Sequence, residues 1–250
     1  MASTSETGHA KNVAHFQNLI TLCNSYGTYN PSRQALQITN LQNVLLQAQA
    51  ALDKVKNTKA TFNNATNSRK EGFNDLKKIS MQVMSAFAAS DVPKLAVADA
   101  RGVVRKMQGK RAKEIKPAVV ATTPATPPAL PEATEEKHIS VSQLSFDNMV
   151  DHFSKLVETV LQQPNYNPNE KQLSRAGLQA QLTQINGLNT AVIQGFVNWH
   201  NARIMRNDVL YNPLTGLVQL SADVKLYIKS VFGSTSPQFK QVSGLRIVAV

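Results

Sequence analysis

The chain has 250 residues, with 27 Lys and Arg against 16 Asp and Glu, and a formal net charge of +11. This length allows one large domain or two smaller ones, and an apolar share of 42% is enough to build a core. The single cysteine, Cys23, excludes an intrachain disulfide and favours a reducing compartment. No apolar run is long enough to cross a bilayer, and no signal peptide is visible. We therefore expect a cytoplasmic protein without a membrane span.

The first predicted helix covers residues 9–24 and is followed by a turn. Apolar residues recur at spacings of three and four along it, which places them on one face: Val13, Phe16, Ile20 and Cys23. The sequence Tyr29-Asn30-Pro31 predicts the turn, because proline biases the residue before it away from helix.

The second predicted helix is long, about residues 40–69. Thr39 is its expected cap, with Gln42 completing a capping-box pattern. Apolar residues then follow the 3.5-residue repeat of supercoiled helix packing: Leu41, Leu45, Ala48, Leu52, Val55 and Phe62.

Two further helices complete the first half of the chain. One is predicted over 71–89, with Phe73, Leu76, Val83 and Phe87 facing inward. The next reaches about residue 108 and begins at Asp91-Val92-Pro93, because proline is favoured in the first turn of a helix.

A proline-rich segment, 117–137, separates this half from the next. It holds Pro117, Pro124, Pro127, Pro128 and Pro131. Such a composition predicts an extended, semi-rigid spacer. Its role is either that of a passive tether or that of a docking peptide for a proline-binding partner.

The second half repeats the first with an offset of 137 residues. Residues 13–69 and 150–206 share sixteen identical pairs, including His15-Phe16 with His152-Phe153 and Tyr29-Asn30-Pro31 with Tyr166-Asn167-Pro168. The seam of the second long helix matches that of the first and is expected to be buried: Leu178, Leu182, Ile185, Val192 and Trp199.

The later helices of the second half follow the same order. About eight extra residues follow Arg206 and lengthen the loop around 208–213. A helix over 214–232 is then expected to face inward with Leu217, Val224, Ile228 and Val231. The last helix starts at a cap, Thr235-Ser236-Pro237, and ends near residue 243. The final six residues either extend it or pack as an extended tail.

Together these patterns predict an all-α protein that arose by internal duplication. Its expected domains are a first antiparallel bundle of about four helices over 1–116, a linker over 117–137, and a second such bundle over 138–250.

The densest run of positive charge closes the first half. It comprises Arg101, Arg105, Lys106, Lys110, Arg111, Lys113 and Lys116. Such a run can contact the phosphates of nucleic acid or another polyanion. It also suits the solvated C-terminal end of a helix, where cations are favoured. No aromatic residues are interleaved, so base stacking is not indicated.

Patterns for catalysis or metal binding are weak. Two Glu-x-x-His pairs, Glu6/His9 and Glu135/His138, lie in the N-terminal tail and beside the linker rather than on core-facing helices. His15 and His152 hold equivalent positions beside core phenylalanines, which favours a structural role over a shared site. Cys23 corresponds to Val160, and that exchange indicates a small apolar residue rather than a nucleophile. We expect no cofactor, no metal and no catalytic residue.

The segment Asp99-Ala100-Arg101-Gly102-Val103-Val104-Arg105-Lys106-Met107-Gln108-Gly109-Lys110-Arg111 has a distinctive basic character. Together with Tyr29-Asn30-Pro31 and the long Gln/Asn/Ala-rich helix, it resembles a group of uncharacterised bacterial helical proteins. The resemblance implies a duplicated bundle; it implies no activity and no site residues.

Two functions follow as expectations. The first is a non-enzymatic structural or protein-interaction module that binds another protein or a copy of itself. The second is a basic nucleic-acid-binding protein, similar to nucleoid-associated proteins, that acts through the first bundle and residues 101–116.

Overall fold

The computed structural model describes residues 8–110 and 144–250. Within these ranges the chain is all-helical and contains no strand, so the predicted all-α class is confirmed. The α-helices are α1 (His9–Ser25), α2 (Ile38–Asn74), α3 (Leu76–Ala89), α4 (Lys94–Met107), α5 (Phe146–Leu161), α6 (Arg175–Tyr211), α7 (Leu217–Phe232) and α8 (Pro237–Ser243), and a short 3-10 helix covers Gln34–Leu36. None of the helices described is both long enough and apolar enough to span a membrane.

The described residues form two compact units. The first draws on Met1–Thr66 and Ala191–Val250, and the second is built from Asn67–Thr190. These units differ from the predicted domains, 1–116 and 138–250, because each takes helices from both halves of the chain. The predicted linker, 117–137, lies outside the described residues.

The length of α2 and α6 explains why the units mix the two halves. Each of these helices has 37 residues, which corresponds to about 55 Å at 1.5 Å per residue. By contrast, α1 has 17 residues and α3 has 14, so neither can cover a long helix from end to end. The apolar seam of a long helix is therefore divided between partners from different halves.

The core of the first unit forms mainly between α1, α7 and the start of α2. Phe16, Leu19 and Cys23 on α1 are fully buried, and they share one cluster with Leu217 and Val224 of α7. This confirms the apolar face predicted for the first helix. The N-terminal half of one repeat thus packs on the C-terminal half of the other.

The core of the second unit forms mainly between α3, α4 and α5. Phe87 on α3, Val104 and Met107 on α4, and Phe153 and Leu156 on α5 are buried in one cluster. Here too, helices from both halves of the chain bury each other's apolar faces.

Helix ends agree with the sequence in some places and not in others. The Ser236 hydroxyl accepts the Phe239 N–H at 3.1 Å, and Pro237 opens α8, so the cap predicted at Thr235-Ser236-Pro237 is confirmed. The matching prediction at Asp91-Val92-Pro93 is wrong. Pro93 itself is the residue before α4, and no side chain caps this helix. Thr39 is not a cap either, because α2 already begins at Ile38.

The C-terminal residues form an extended tail rather than a longer last helix. After α8 ends at Ser243, the tail is held by α1. The Asn12 side chain donates to the Val248 carbonyl at 2.6 Å and accepts the Val248 N–H at 3.2 Å. His15 Nδ1 lies 2.7 Å from the Arg246 carbonyl oxygen. The buried amide of Asn12 is therefore satisfied by backbone groups that would otherwise lack a partner.

Candidate interaction surface

The predicted basic residues that the structure describes are all on the surface. Arg101, Arg105, Lys106 and Lys110 are exposed, whereas Arg111, Lys113 and Lys116 lie outside the described residues. Gly109 adopts a φ of 70°, and the Lys110 N–H donates to the Arg105 carbonyl at 3.0 Å. This arrangement ends a helix, so Lys110 already lies beyond the end of α4.

The residues weighed as reactive have structural surroundings. Cys23 is fully buried, and burial raises the pKa of its thiol to about 12. His152 is 5% exposed, and burial lowers its pKa. His15 belongs to the first unit and His152 to the second. Among the described residues no group of three or more His, Cys, Asp and Glu side chains is arranged to hold a metal ion.

A row of exposed apolar side chains runs along α6 within the first unit. We define the α6 stripe as Ile193, Phe196, Val197, His200 and Ile204. Its four aliphatic and aromatic members are between 43% and 66% exposed. Four of the five residues follow spacings of four, three and four, the pattern by which one helix packs along another. Large exposed apolar patches on soluble domains mark interaction sites.

The opposite side of α6 is packed and fixes the direction in which the stripe points. Val192, Ala202 and Leu210 are buried. A Cβ built at Gly195 would lie 3.1 Å from the Cα of Phe62, so the absence of a side chain permits a close approach of α2 and α6. With one face packed in this way, the stripe occupies the outer face of the helix.

An aromatic cluster borders the stripe. The Phe62 ring stacks on Trp199 with centroids 5.8 Å apart and an interplanar angle of 11°. Phe196 lies against His200 at 4.1 Å between ring centroids. These contacts hold Phe196 within a rigid surface, because the rings beside it are themselves packed.

Positive charge surrounds the cluster. Lys59 Nζ lies 5.6 Å from the centroid of the Trp199 ring, and the Arg203 guanidinium carbon lies 5.2 Å from it. The described part of the first unit carries eleven Lys and Arg against three Asp and Glu, whereas the second carries twelve against eight. The first unit is therefore the more basic, although the densest basic run of the sequence lies on the second.

Comparison with known protein families, curated proteins and solved structures finds no match to this chain. The resemblance to bacterial helical proteins with duplicated bundles therefore stays an expectation drawn from the sequence.

The sequence interpretation missed the α6 stripe for an identifiable reason. Alignment of the halves selects the face that both copies share, which on α6 contains Val192 and Trp199. A second series at spacings of four, three and four was already present in the sequence at Ile193, Val197, His200 and Ile204. A helix with two such series has one more apolar face than its own core requires.

Proposed function

We propose that the protein is a non-enzymatic interaction module that binds an amphipathic helix of another protein along the α6 stripe. The carrying observation is the exposure of a continuous apolar row on a helix whose other side is already packed. Helix-in-groove recognition uses apolar anchors at spacings of three and four residues, as the stripe presents them. Phe196 and Ile204 are the largest candidate anchors.

The charge around the stripe favours an acidic partner over a second copy of the chain. Lys59 and Arg203 border the stripe, and the unit that carries it has a large excess of cations. Two copies docked through this face would place like charges together, which costs affinity. A helix with an apolar row flanked by Asp and Glu would match both the spacing and the charge.

We further propose that the chain is a duplication whose halves exchange partners. Helices α2 and α6 have the same length and begin 137 residues apart. The Tyr29 hydroxyl donates to the Leu36 carbonyl at 2.6 Å, and the Tyr166 hydroxyl donates to the Leu173 carbonyl at 2.7 Å. The same hydrogen bond thus spans the same seven residues in each half. A cytoplasmic location is also part of this proposal, supported by the single, buried Cys23.

Trp199 provides the test, because it is the only tryptophan of the chain and borders the stripe. Titration with a synthetic helix that carries leucines at spacings of three and four and glutamates elsewhere should shift the Trp199 emission to the blue. Phe196→Ser combined with Ile204→Ser should weaken binding roughly a hundred-fold, since each lost anchor removes about 1.5 kcal/mol or more of apolar burial.

Two controls define the result. Leu226→Ser alters an equally exposed apolar residue on α7 of the same unit, at 64% against 66% for Ile204, and should leave the affinity unchanged. The same peptide with lysines in place of glutamates should bind more weakly. Equal binding of the acidic and basic peptides would contradict an acidic partner. A mass that doubles with concentration and reverts in the double variant would identify a second copy as the occupant.

A second candidate function is the binding of nucleic acid through α4. The supporting observation is that Arg101, Arg105, Lys106 and Lys110 are exposed and form no ion pair with any acidic side chain that the structure describes. Unpaired cations at the end of one helix are available for phosphate contacts, which release counterions and make binding sensitive to salt.

Neutralisation of these four residues to glutamine tests this function. If they contact phosphates of duplex DNA, the slope of log affinity against log salt should fall by about three to four units, near 0.9 for each contact. The matched control replaces four exposed lysines of the same unit, Lys70, Lys78, Lys94 and Lys171, and should change the slope much less. An absence of gel retardation at about 50 mM salt would exclude the function, because electrostatic binding is strong there.

A further inference from the structure

A basic cleft of about 750 Å³ opens in the first unit at the N-terminus of α1. Residues of α1, α2 and α6 line it, and they are Gly8, His9, Ala10, Lys11, Ala14, Leu52, Val55, Lys56 and Arg206. The cleft combines three cationic side chains with apolar walls. None of its lining residues is acidic.

Arg206 is the buried charge of the cleft. It is 9% exposed, and its Nε and Nη2 donate to the Asn207 Oδ1 at 3.1 Å and 2.7 Å. No ion pair joins it to a carboxylate of residues 8–110 or 144–250. Burial lowers its pKa and that of His9, and the charge of Arg206 lowers the pKa of His9 further. A buried cation without a counter-charge is costly and favours the entry of an anion.

The end of α1 adds unsatisfied donors to the same cleft. The first N–H groups of a helix have no partner within it, and they form a natural site for anions. Gly8 precedes α1 and cannot supply a capping side chain, and the first turn contains no acidic residue. The N-terminal end of this 17-residue helix therefore carries a partial positive charge that no side chain of that turn offsets.

The second unit shows what fills the matching positions, 137 residues further along or back. Ser145, in the place of Gly8, caps α5 by accepting the Asn148 N–H at 3.2 Å. Asp147, in the place of Ala10, accepts from the Asn189 amide at 2.6 Å, and Asn189 accepts from Arg69 Nη1 at 2.8 Å. Arg69 stands in the place of Arg206 and also lies 4.1 Å from the centroid of the Phe146 ring.

The first unit thus retains the arginine and lacks each group that answers it. The cap Ser145 is replaced by Gly8, the acid Asp147 by Ala10 and the bridging amide Asn189 by Leu52. In addition, Lys56 stands where the second unit has an isoleucine. These exchanges together remove the internal counter-charge and open a space beside the arginine.

We propose that this cleft binds a small molecule that carries a phosphate group. The phosphate lies between the N-terminus of α1 and the Arg206 guanidinium, where it replaces the missing cap and the missing carboxylate. Its several oxygens match donors that converge from a helix end and a planar guanidinium. The remainder of the molecule packs on Ala14, Leu52 and Val55. The site lies on the packed side of α6, so it does not depend on docking at the stripe.

Calorimetric titration of the full chain with phenyl phosphate, at fixed ionic strength, tests the proposal. We expect saturable binding of one equivalent, tighter than that of inorganic phosphate or of benzoate. Arg206→Gln keeps a polar side chain but removes the charge, and it should weaken binding about 10- to 100-fold, as expected for a charge-assisted hydrogen bond.

Ala10→Asp is the decisive variant, because it installs the acid of the second unit at the first turn of α1. It should raise the melting temperature in the absence of ligand and abolish the phosphate-dependent rise that binding confers. Gln17→Glu makes the same change of charge on an exposed part of α1 and should preserve binding. Wild-type affinity in Ala10→Asp would overturn the proposal, even if Arg206→Gln proved too unstable to measure. Equal affinity for benzoate, or no binding at about 10 mM phenyl phosphate, would also overturn it.

Discussion

Cleavage of the chain within residues 117–137, at an inserted protease site, should leave the two fragments bound to each other with their helices intact. The reason is that each compact unit contains helices from both sides of the cut. After cleavage, α1 still packs on α7 and α4 still packs on α5. Circular dichroism should show nearly the same helix content, and size-exclusion chromatography should show one complex of unchanged mass.

Each fragment refolded alone should fail to form a cooperative monomer. Without α7, the buried side chains of Phe16 and Leu19 face water, and without α5 the same holds for Phe87 and Val104. At about 1.5–3 kcal/mol for each side chain, four such losses cost about 6–12 kcal/mol, which matches the whole stability of an ordinary domain. Mixing the fragments should restore the transition. If each fragment unfolds cooperatively as a monomer, the predicted domains 1–116 and 138–250 are right and the exchange of halves is wrong.

This test addresses the feature that the sequence could not specify. Periodicity predicted the helices to within a few residues, and the seam residues Leu41, Ala48, Leu178 and Ile185 are buried as expected. A seam indicates which face of a helix is covered but not which helix covers it. Because the two halves have similar seams, either half can pack on the other without a change of pattern, and only the three-dimensional arrangement distinguishes the two solutions.

Local mispredictions have equally specific causes. Val231 was expected to face inward in series with Ile228, but it is 44% exposed because α7 ends one residue later at Phe232 and has little left to cover it. The loop predicted around 208–213 is shorter, because α6 continues to Tyr211 and the connection is confined to the residues before Leu217. The boundary of a helix depends on tertiary contacts that periodicity does not contain.

The candidate surfaces divide in the same way. The exposure of Arg101, Arg105 and Lys106 followed from their spacing on a helix with an apolar face. The cleft beside Arg206 did not, because its residues come from three helices and from both halves of the chain. Its significance appears only when each position is compared with its counterpart in the second unit. A duplicated sequence therefore shows function most clearly where one copy has lost a partner that the other retains.

The tyrosines of the two Tyr-Asn-Pro turns should carry a large share of stability, one in each unit. Tyr166 is fully buried, and its hydroxyl donates to the Leu173 carbonyl. Tyr166→Ala should lower the free energy of unfolding by about 3–5 kcal/mol through loss of the ring and the cavity it leaves. Tyr166→Phe keeps the ring and should cost only about 1 kcal/mol, the value of one hydrogen bond. Burial raises the pKa of Tyr166 to about 12, so its hydroxyl remains a donor at neutral pH.

Tyr29→Phe removes the matching bond in the first unit and should cost a similar amount, about 1 kcal/mol. The two sites lie in separate cores, so the costs in the double variant should add to within about 0.5 kcal/mol. Tyr26→Phe is the control, because its hydroxyl bonds the exposed Gln241 side chain and its loss should cost less. Urea denaturation of all four proteins measures these differences. A neutral effect at both Tyr29 and Tyr166 would show that the repeated turn is held by its proline and its packing, and that the shared hydrogen bond contributes nothing to the fold.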